Sequence, residues 1–297
     1  MHAFSPKLIL VATDFSDTAA GALRRASALA ERHGARLLVM YADEFIPPLN
    51  ETPRQERIAA RGIDDLVAVA HDRLVAHAAE NVSSYVPFVV RAVIGDPTNA
   101  IVRQAKESEA DLVVMGTHGH TGIERLLFGS VCEAVMRKAS VPVLAVSAAA
   151  AAHPSSDMRR IVCVVDYSPE CAEALRIAAA LAPEARLVIV KPDEGERAPH
   201  TSDRLMQLRR WLPAELVDRC ELRLAGAFTP EHIAEFAVRV GADLIAAGFI
   251  PRNAVSDALL GTATDRLVQH SVSPVLVVNA AAVREQEVAD FACACSA

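Results

Sequence analysis

The chain repeats itself, and nothing else in it limits the possible folds as much. ADLVVMGTHGHTGIERLLFGSVCEAVMRKASVPVLAV, starting at Ala110, aligns without a gap on ADLIAAGFIPRNAVSDALLGTATDRLVQHSVSPVLVV, starting at Ala242, a constant offset of 132 residues. An earlier pair matches too: KLILVATDFSDTAAGALRRASALA from Lys7 and RIVCVVDYSPECAEALRIAAALA from Arg160. Self-similarity at this period means one structural unit used twice, and 297 residues suffice for two ordinary domains. The first domain is expected at 1–147 and the second at 159–279, with a tail at 280–297. The intervening AAAAAHPSSDM, 148–158, has the small-residue, Ser and Pro content of a linker.

Inside each repeat, short β-branched runs alternate with helical patterns, which is the signature of βαβ units and a parallel sheet. Repeat one has five strand-like runs, at Leu8 to Thr13, Arg36 to Ala42, Phe88 to Ile94, Leu112 to Gly116 and Val143 to Ser147. Ser16 is placed to cap a helix that buries Ala19, Leu23, Ala26 and Ala30, turns Arg24, Arg25, Glu31 and Arg32 outward, and ends at Gly34. A longer helical pattern runs from about Gln55 to Asn81, and Pro97 opens the next helix. The fold class this predicts is α/β: two tandem Rossmann-like domains, each a five-stranded parallel sheet flanked by helices.

Composition agrees. With 52% hydrophobic but only 4% aromatic residues, the core must be built from Ala, Val, Leu and Ile, as helices packed on buried parallel strands require. The net charge of −7 comes without any Lys/Arg block, which argues against nucleic acid as a partner. No apolar run approaches the roughly 18 residues of a membrane span, and a soluble cytoplasmic protein is expected. Six cysteines show no C-x-x-C pair, so no disulfide framework is expected; Cys293 and Cys295 form a lone C-x-C in the tail.

The chemistry-bearing stretch is Gly116-Thr117-His118-Gly119, nine residues, then Gly129-Ser130 ahead of VCEAVMRKA. Gly116 ends a strand and Gly129-Ser130 opens a helix, so backbone N–H groups at a helix N-terminus face the carboxyl edge of the sheet. Glycines admit phosphate oxygens without a Cβ in the way, and the helix end favours negative charge by about 1 kcal/mol. A dinucleotide fingerprint is missing: after the first strand the chain reads ATDFSDTAAGAL, without a glycine cluster, which argues against a dehydrogenase.

The pattern G-x2-G-x9-G-S, together with a first strand ending in Asp and the closing V-P-V-L, resembles the universal stress protein family in its ATP-binding branch. The resemblance extends over both repeats. It implies ATP as ligand, with or without Mg²⁺, the adenosine end lying against Ala12, Thr13, Asp14 and Ala42, with Gly95 flanking the nucleotide. It assigns Met115, Gly116, His118, Gly119, Gly129, Ser130 and Val131 to the ribose and phosphates. It also implies that the repeats pack about a pseudo-twofold through their last strands, Val143 to Ser147 and Val275 to Asn279, as an internal dimer, with a further homodimer contact and an unidentified regulatory protein partner. Repeat two keeps Asp166, Gly248, Gly261 and Thr262 but has Pro251 in place of the second motif glycine. Proline lacks the N–H and fixes φ, so a weak or empty second site with a structural role is expected.

Each candidate has a plainer reading. Asp14 and Asp166 can cap the following helix, and His118 and His120 can be solvated loop residues. Cys132 can be a packing residue despite its place near a helix N-terminus. There is no G-x4-G-K-S/T loop, no acidic cluster for Mg²⁺ and no evident base, so a regulatory binding module ranks above a slow ATPase or phosphotransferase, or a scaffold with a relic site.

Overall fold

The computed structural model describes residues 4–43, 53–117, 129–152, 157–192, 201–225, 229–249 and 263–284. Repeat one runs β1 (Leu8–Ala12), α1 (Asp17–His33), β2 (Arg36–Asp43), α2 (Pro53–Asn81), β3 (Phe88–Ile94), α3 (Pro97–Glu107), β4 (Leu112–Gly116), α4 (Ser130–Lys138) and β5 (Val143–Val146). After α5 (Ala148–Ala152), repeat two runs β6 (Arg160–Val164), α6 (Pro169–Leu181), β7 (Arg186–Pro192), α7 (Thr201–Trp211), a 3₁₀ turn (Ala214–Arg219), β8 (Cys220–Ala225), α8 (Pro230–Val240), β9 (Leu244–Gly248), α9 (Ala263–His270) and β10 (Val275–Val278).

Strands pair in the order β3-β2-β1-β4-β5-β10-β9-β6-β7-β8. Exchanging the repeats reverses this order, as a pseudo-twofold demands. Within each half the pairing is parallel, and only β5 and β10 run antiparallel, Leu144 lying opposite Leu276. Two five-stranded units are thereby one ten-stranded sheet, joined through the last strands named from the sequence. Helices cover both faces, so the central strands are apolar throughout; all five residues of β1 are buried.

Local sequence explains the elements. Ser16 accepts from the Ala19 N–H at the start of α1, and Gly34 ends that helix at φ 64°, a left-handed position natural to glycine. Asp96 caps α3 by accepting from Asn99 N–H, with Pro97 in the first turn. The Ala-Asp that opens each repeated segment has a shared structural task. Asp111 Oδ2 accepts from the backbone of Lys7 and Leu8, and Asp243 Oδ2 from that of Arg159 and Arg160, tying the start of each fourth strand to the start of its first.

Polar caps also cross the pseudo-twofold. Asn279 Nδ2 donates to the Met136 and Ala139 carbonyls at the end of α4, 2.8 Å each. Ser147 Oγ donates to Ser271 O at the end of α9, also 2.8 Å. Both helix C-termini would otherwise bury unpaired carbonyls.

Two details depart from the sequence reading. The stretch read as a linker, 148–158, begins with a helix, Ala148–Ala152, that packs on α1. Gly21 is the contact point, since a Cβ there would lie 2.3 Å from Ala151 Cβ. Arg25 is not outward-facing but 6% exposed. It lies against α5 and the α8–β9 turn, where burial lowers its pKa and nearby Asp243 works in the opposite direction. One repeat taken alone gives no warning of this, because α5 and the second repeat supply the cover.

Candidate functional site

Within repeat one the connections leave the sheet in opposite directions at β1 and β4, a reversal of strand order that opens a crevice at the carboxyl ends. A cavity of about 240 Å³ lies there. The β1 end supplies Ala12, Thr13 and Asp14, β2 supplies Ala42, the β4 end Met115 and Gly116, and the start of α4 Gly129, Ser130 and Val131. Four separate stretches of chain thus bring most of the sequence-derived candidates together. Gly95 is not among the lining residues; it ends β3 at φ 146°, its N–H donating to Asp43 O at 2.7 Å. His118 and Gly119 lie outside the described residues, as do His120, Pro251, Gly261, Thr262 and the Cys293/Cys295 pair.

Sequence reasoning missed Ala19, Met40, Pro97, Ile101 and Thr117, which also line the cavity, as does Cys132, read from the sequence as a packing residue. Two of these were legible. Met40 shares a face of β2 with Ala42 by strand alternation, and Ile101 lies one helical turn beyond Pro97. Together with Ala12 and Met115 they form an apolar slot.

Opposite the slot is the α4 N-terminus. Gly129 is its N-cap and among the described residues no side chain caps it, so the N–H groups of Ser130, Val131 and Cys132 are presented at the positive end of the helix. Gly116 is tightly enclosed from behind: a Cβ would lie 3.1 Å from Thr18 Cγ2 and 3.3 Å from Ala19 N. Such a surface, with backbone donors at a helix N-terminus and a serine hydroxyl, is suited to a phosphate.

The β1–α1 turn forms the remaining wall. Asp14 Oδ1 accepts from Ser16 N–H (3.0 Å) and Ser16 Oγ (2.6 Å), and Asp166 Oδ1 accepts from Ser168 N–H (2.9 Å) in repeat two. Burial alone would raise the Asp166 pKa, but hydrogen bonds from Ser168 and Cys171 outweigh it and hold the carboxyl below its ordinary value. Both aspartates therefore organise the turn, and Asp14 additionally faces the cavity. The residue after each has left-handed backbone, Phe15 at φ 67° and Tyr167 at φ 70°. Thr13 Oγ1 accepts from Phe15 N–H (3.0 Å) and shares a hydrogen bond with His77 Nε2 of α2 (3.2 Å). Burial lowers the His77 pKa.

Cys132 is 2% exposed, and its thiol pKa is pushed far up by burial, then by Asp265 and Glu133. The packing reading holds for it. Among the described residues there is no group of three His, Cys, Asp or Glu placed to hold a metal, and no helix long and apolar enough to cross a membrane.

In repeat two, Phe249 stands where repeat one has Thr117 and is 2% exposed. Arg137 of α4 lies over its ring, 5.4 Å from the centroid. Arg266 of α9 reaches Glu231 of α8 at 2.6 Å, an ion pair across the two helices that correspond to α3 and α4.

The sheet and its crevice define a class: a tandem doubly wound α/β protein with a ligand-sized cleft at the switch point of its first repeat. The universal stress protein family model matches residues 6–147 and 158–279, and the chain belongs to that family. It is 37% identical over 140 residues to a universal stress protein of Thermus aquaticus, covering 47% of this chain and 98% of that one. It is 32% identical over 145 residues to one of Methanocaldococcus jannaschii, covering 47% and 81%. These relatives match about half of this chain, in keeping with the tandem repeat. A universal stress protein from Archaeoglobus fulgidus aligns over 94% of this chain and 97% of its own, with a TM-score of 0.67 and 18% identity, which speaks to the fold alone.

Proposed function

We propose that the cleft of repeat one binds ATP and that the chain is a regulatory nucleotide-binding module of the stress response. The observation that carries this reading is the pairing of an apolar slot (Ala12, Met40, Ala42, Ile101) with the uncapped N-terminus of α4 at Ser130. The slot suits a purine, and the helix end, with its glycine and serine, suits phosphates. An apolar cavity of about 150 Å³ holds benzene, so the 240 Å³ cavity has room for a larger ring system.

Asp14 is the one carboxylate among the described lining residues, so a Mg²⁺ accompanying the nucleotide would be carried mainly by phosphates and water. In this reading occupancy is read out through assembly and protein contacts, with the chain a cytoplasmic protein that pairs with a second copy. Repeat two acts structurally in this reading, supported by buried Phe249 and the Glu231–Arg266 pair where repeat one keeps its cleft.

The test is to denature freshly purified protein, identify released nucleotide by chromatography and mass spectrometry, and titrate ATP into stripped protein beside Gly119→Ala and Ser130→Ala. The expected result is one equivalent per chain, weakened in both variants, with stabilisation of about 2.7 kcal/mol at a hundredfold excess over Kd. Two equivalents would overturn the structural role of repeat two. No nucleotide released and none bound at millimolar ATP would overturn the reading itself.

A further inference from the structure

A second cavity, of about 230 Å³, lies on the opposite face of the β2–β3 edge from the first. The two share their walls. Ala42 lines the first cavity while its neighbours Tyr41 and Asp43 line the second, as strand alternation requires. Asp14 lines the first and the adjoining Phe15 the second.

The second cavity has a definite chemistry. Phe15 and Tyr41 rings meet with centroids 4.8 Å apart, and Leu66, Val69 and Ile94, the last in register with Asp43, complete an apolar lining. Leu66 and Val69 are 53% and 67% exposed, so the lining is open to solvent from the α2 side. Arg73 lies over the Phe15 ring, 4.1 Å from its centroid, and among the described residues no carboxylate is within ion-pairing distance of it. The carboxylate of Asp43 accepts from the Tyr41 hydroxyl at 2.8 Å. Burial and then this hydrogen bond push the Tyr41 pKa up to about 12, so the phenol keeps its proton and stays turned to Asp43. The arrangement is an aromatic and aliphatic pocket with one cation available to an incoming ligand.

We propose that this cavity binds a small aromatic carboxylate, its ring held by Tyr41, Leu66, Val69 and Ile94 and its carboxylate on Arg73, and that occupancy biases the neighbouring cleft through Phe15. The volume fits the ligand: an apolar cavity of about 150 Å³ holds benzene, leaving room here for a substituent. Guanidinium and carboxylate are matched in shape as well as charge. The coupling has a short path, because Phe15 is held in left-handed backbone with its N–H on Thr13 Oγ1, and Thr13 and Asp14 line the first cavity. The coupling rests on the nucleotide reading above, whereas the cavity assignment does not.

Benzoate, benzyl alcohol and benzylamine are titrated by calorimetry and saturation-transfer NMR into the full chain, Arg73→Gln and Val69→Trp, with circular dichroism to check folding. Val69 is on the exposed helix face, and Trp there fills the cavity without entering the core. Benzoate is expected to bind saturably and best of the three. Arg73→Gln should cost it about tenfold, the loss of one charge-assisted contact, while sparing benzyl alcohol. Val69→Trp should abolish binding of both. No saturable binding, preference for benzylamine, or binding untouched by both substitutions overturns the assignment. Saturating benzoate is expected to shift the ATP Kd about fivefold or more, with reciprocal effect on benzoate. Benzoate binding with an unchanged ATP Kd overturns the coupling. A chain that binds benzoate but no ATP overturns the nucleotide reading and the coupling, and leaves the second cavity's assignment standing.

Discussion

Asn279→Ala should uncouple the two repeats more than its size suggests. The Asn279 side chain is 4% exposed and makes four hydrogen bonds. Its Nδ2 donates to Met136 O and Ala139 O across the pseudo-twofold, and its Oδ1 accepts from Ala281 N–H and Ala282 N–H. A net value of about 1 kcal/mol per bond gives a loss of about 4 kcal/mol. Even if water recovers the Ala281 and Ala282 N–H groups, the Met136 and Ala139 carbonyls alone still cost about 2 kcal/mol. Urea unfolding followed by circular dichroism is the assay, the loss being read as a lower midpoint at unchanged slope. Asn279→Asp separates the two halves of the interaction. It keeps the acceptor for the Ala281 and Ala282 N–H groups but sets a negative charge against the carbonyl end of α4, so it should rescue nothing. A loss below about 1 kcal/mol for Asn279→Ala, or rescue by Asp, would refute the claim that donation to α4 holds the repeats together.

Gly21→Ala, ordinarily favourable in a helix by about 1 kcal/mol, should instead lower the thermal midpoint, because its Cβ would meet Ala151 Cβ at 2.3 Å and overpacking costs about 1–3 kcal/mol; an unchanged or raised midpoint would mean α5 moves freely. Glu231 is held at about 2, first by its hydrogen bond from Thr229 and also by Arg266, so the stability it adds is fully present above about pH 4.3 and lost as the pH falls through 2. The stability gap between the parent chain and Glu231→Gln, measured by thermal melts, should accordingly be widest near neutrality and close towards pH 2. Native thiol labelling with peptide mapping should modify Cys220, half-buried and raised by burial to about 11, well before Cys132, Cys163 and Cys171, which are buried; labelling of Cys132 first would contradict its packing role.

Much of the fold could be read from the residues. Strand positions and the Ser16 and Gly34 ends of α1 follow from short-range rules, in which each residue's effect is decided within a turn or two of chain. The repeat then carries that reading across the molecule, and its last strands do pair. The cleft was legible to the same extent, since strand ends and a glycine before a helix are local features that parallel topology always brings to one edge.

What the sequence could not settle depends on which surfaces meet. Arg25 has the spacing of a solvated arginine and is buried where α5 and the α8–β9 turn of the other repeat meet it. Ala19 and Thr117 are ordinary core or loop residues until α1 and β4 converge on one cavity. Asn279 reads as a strand-end residue, and its role at the end of α4 exists only because β5 and β10 run antiparallel. Asp111 and Asp243 look like repeat markers until they accept backbone donors from the first strand of each repeat. The sequence by itself determined the periodicities, caps and turns, because those energies are set between neighbours along the chain. Only the tertiary structure decided burial, cross-repeat capping and the second cavity, because those depend on partners more than a hundred residues away or on two elements facing one space.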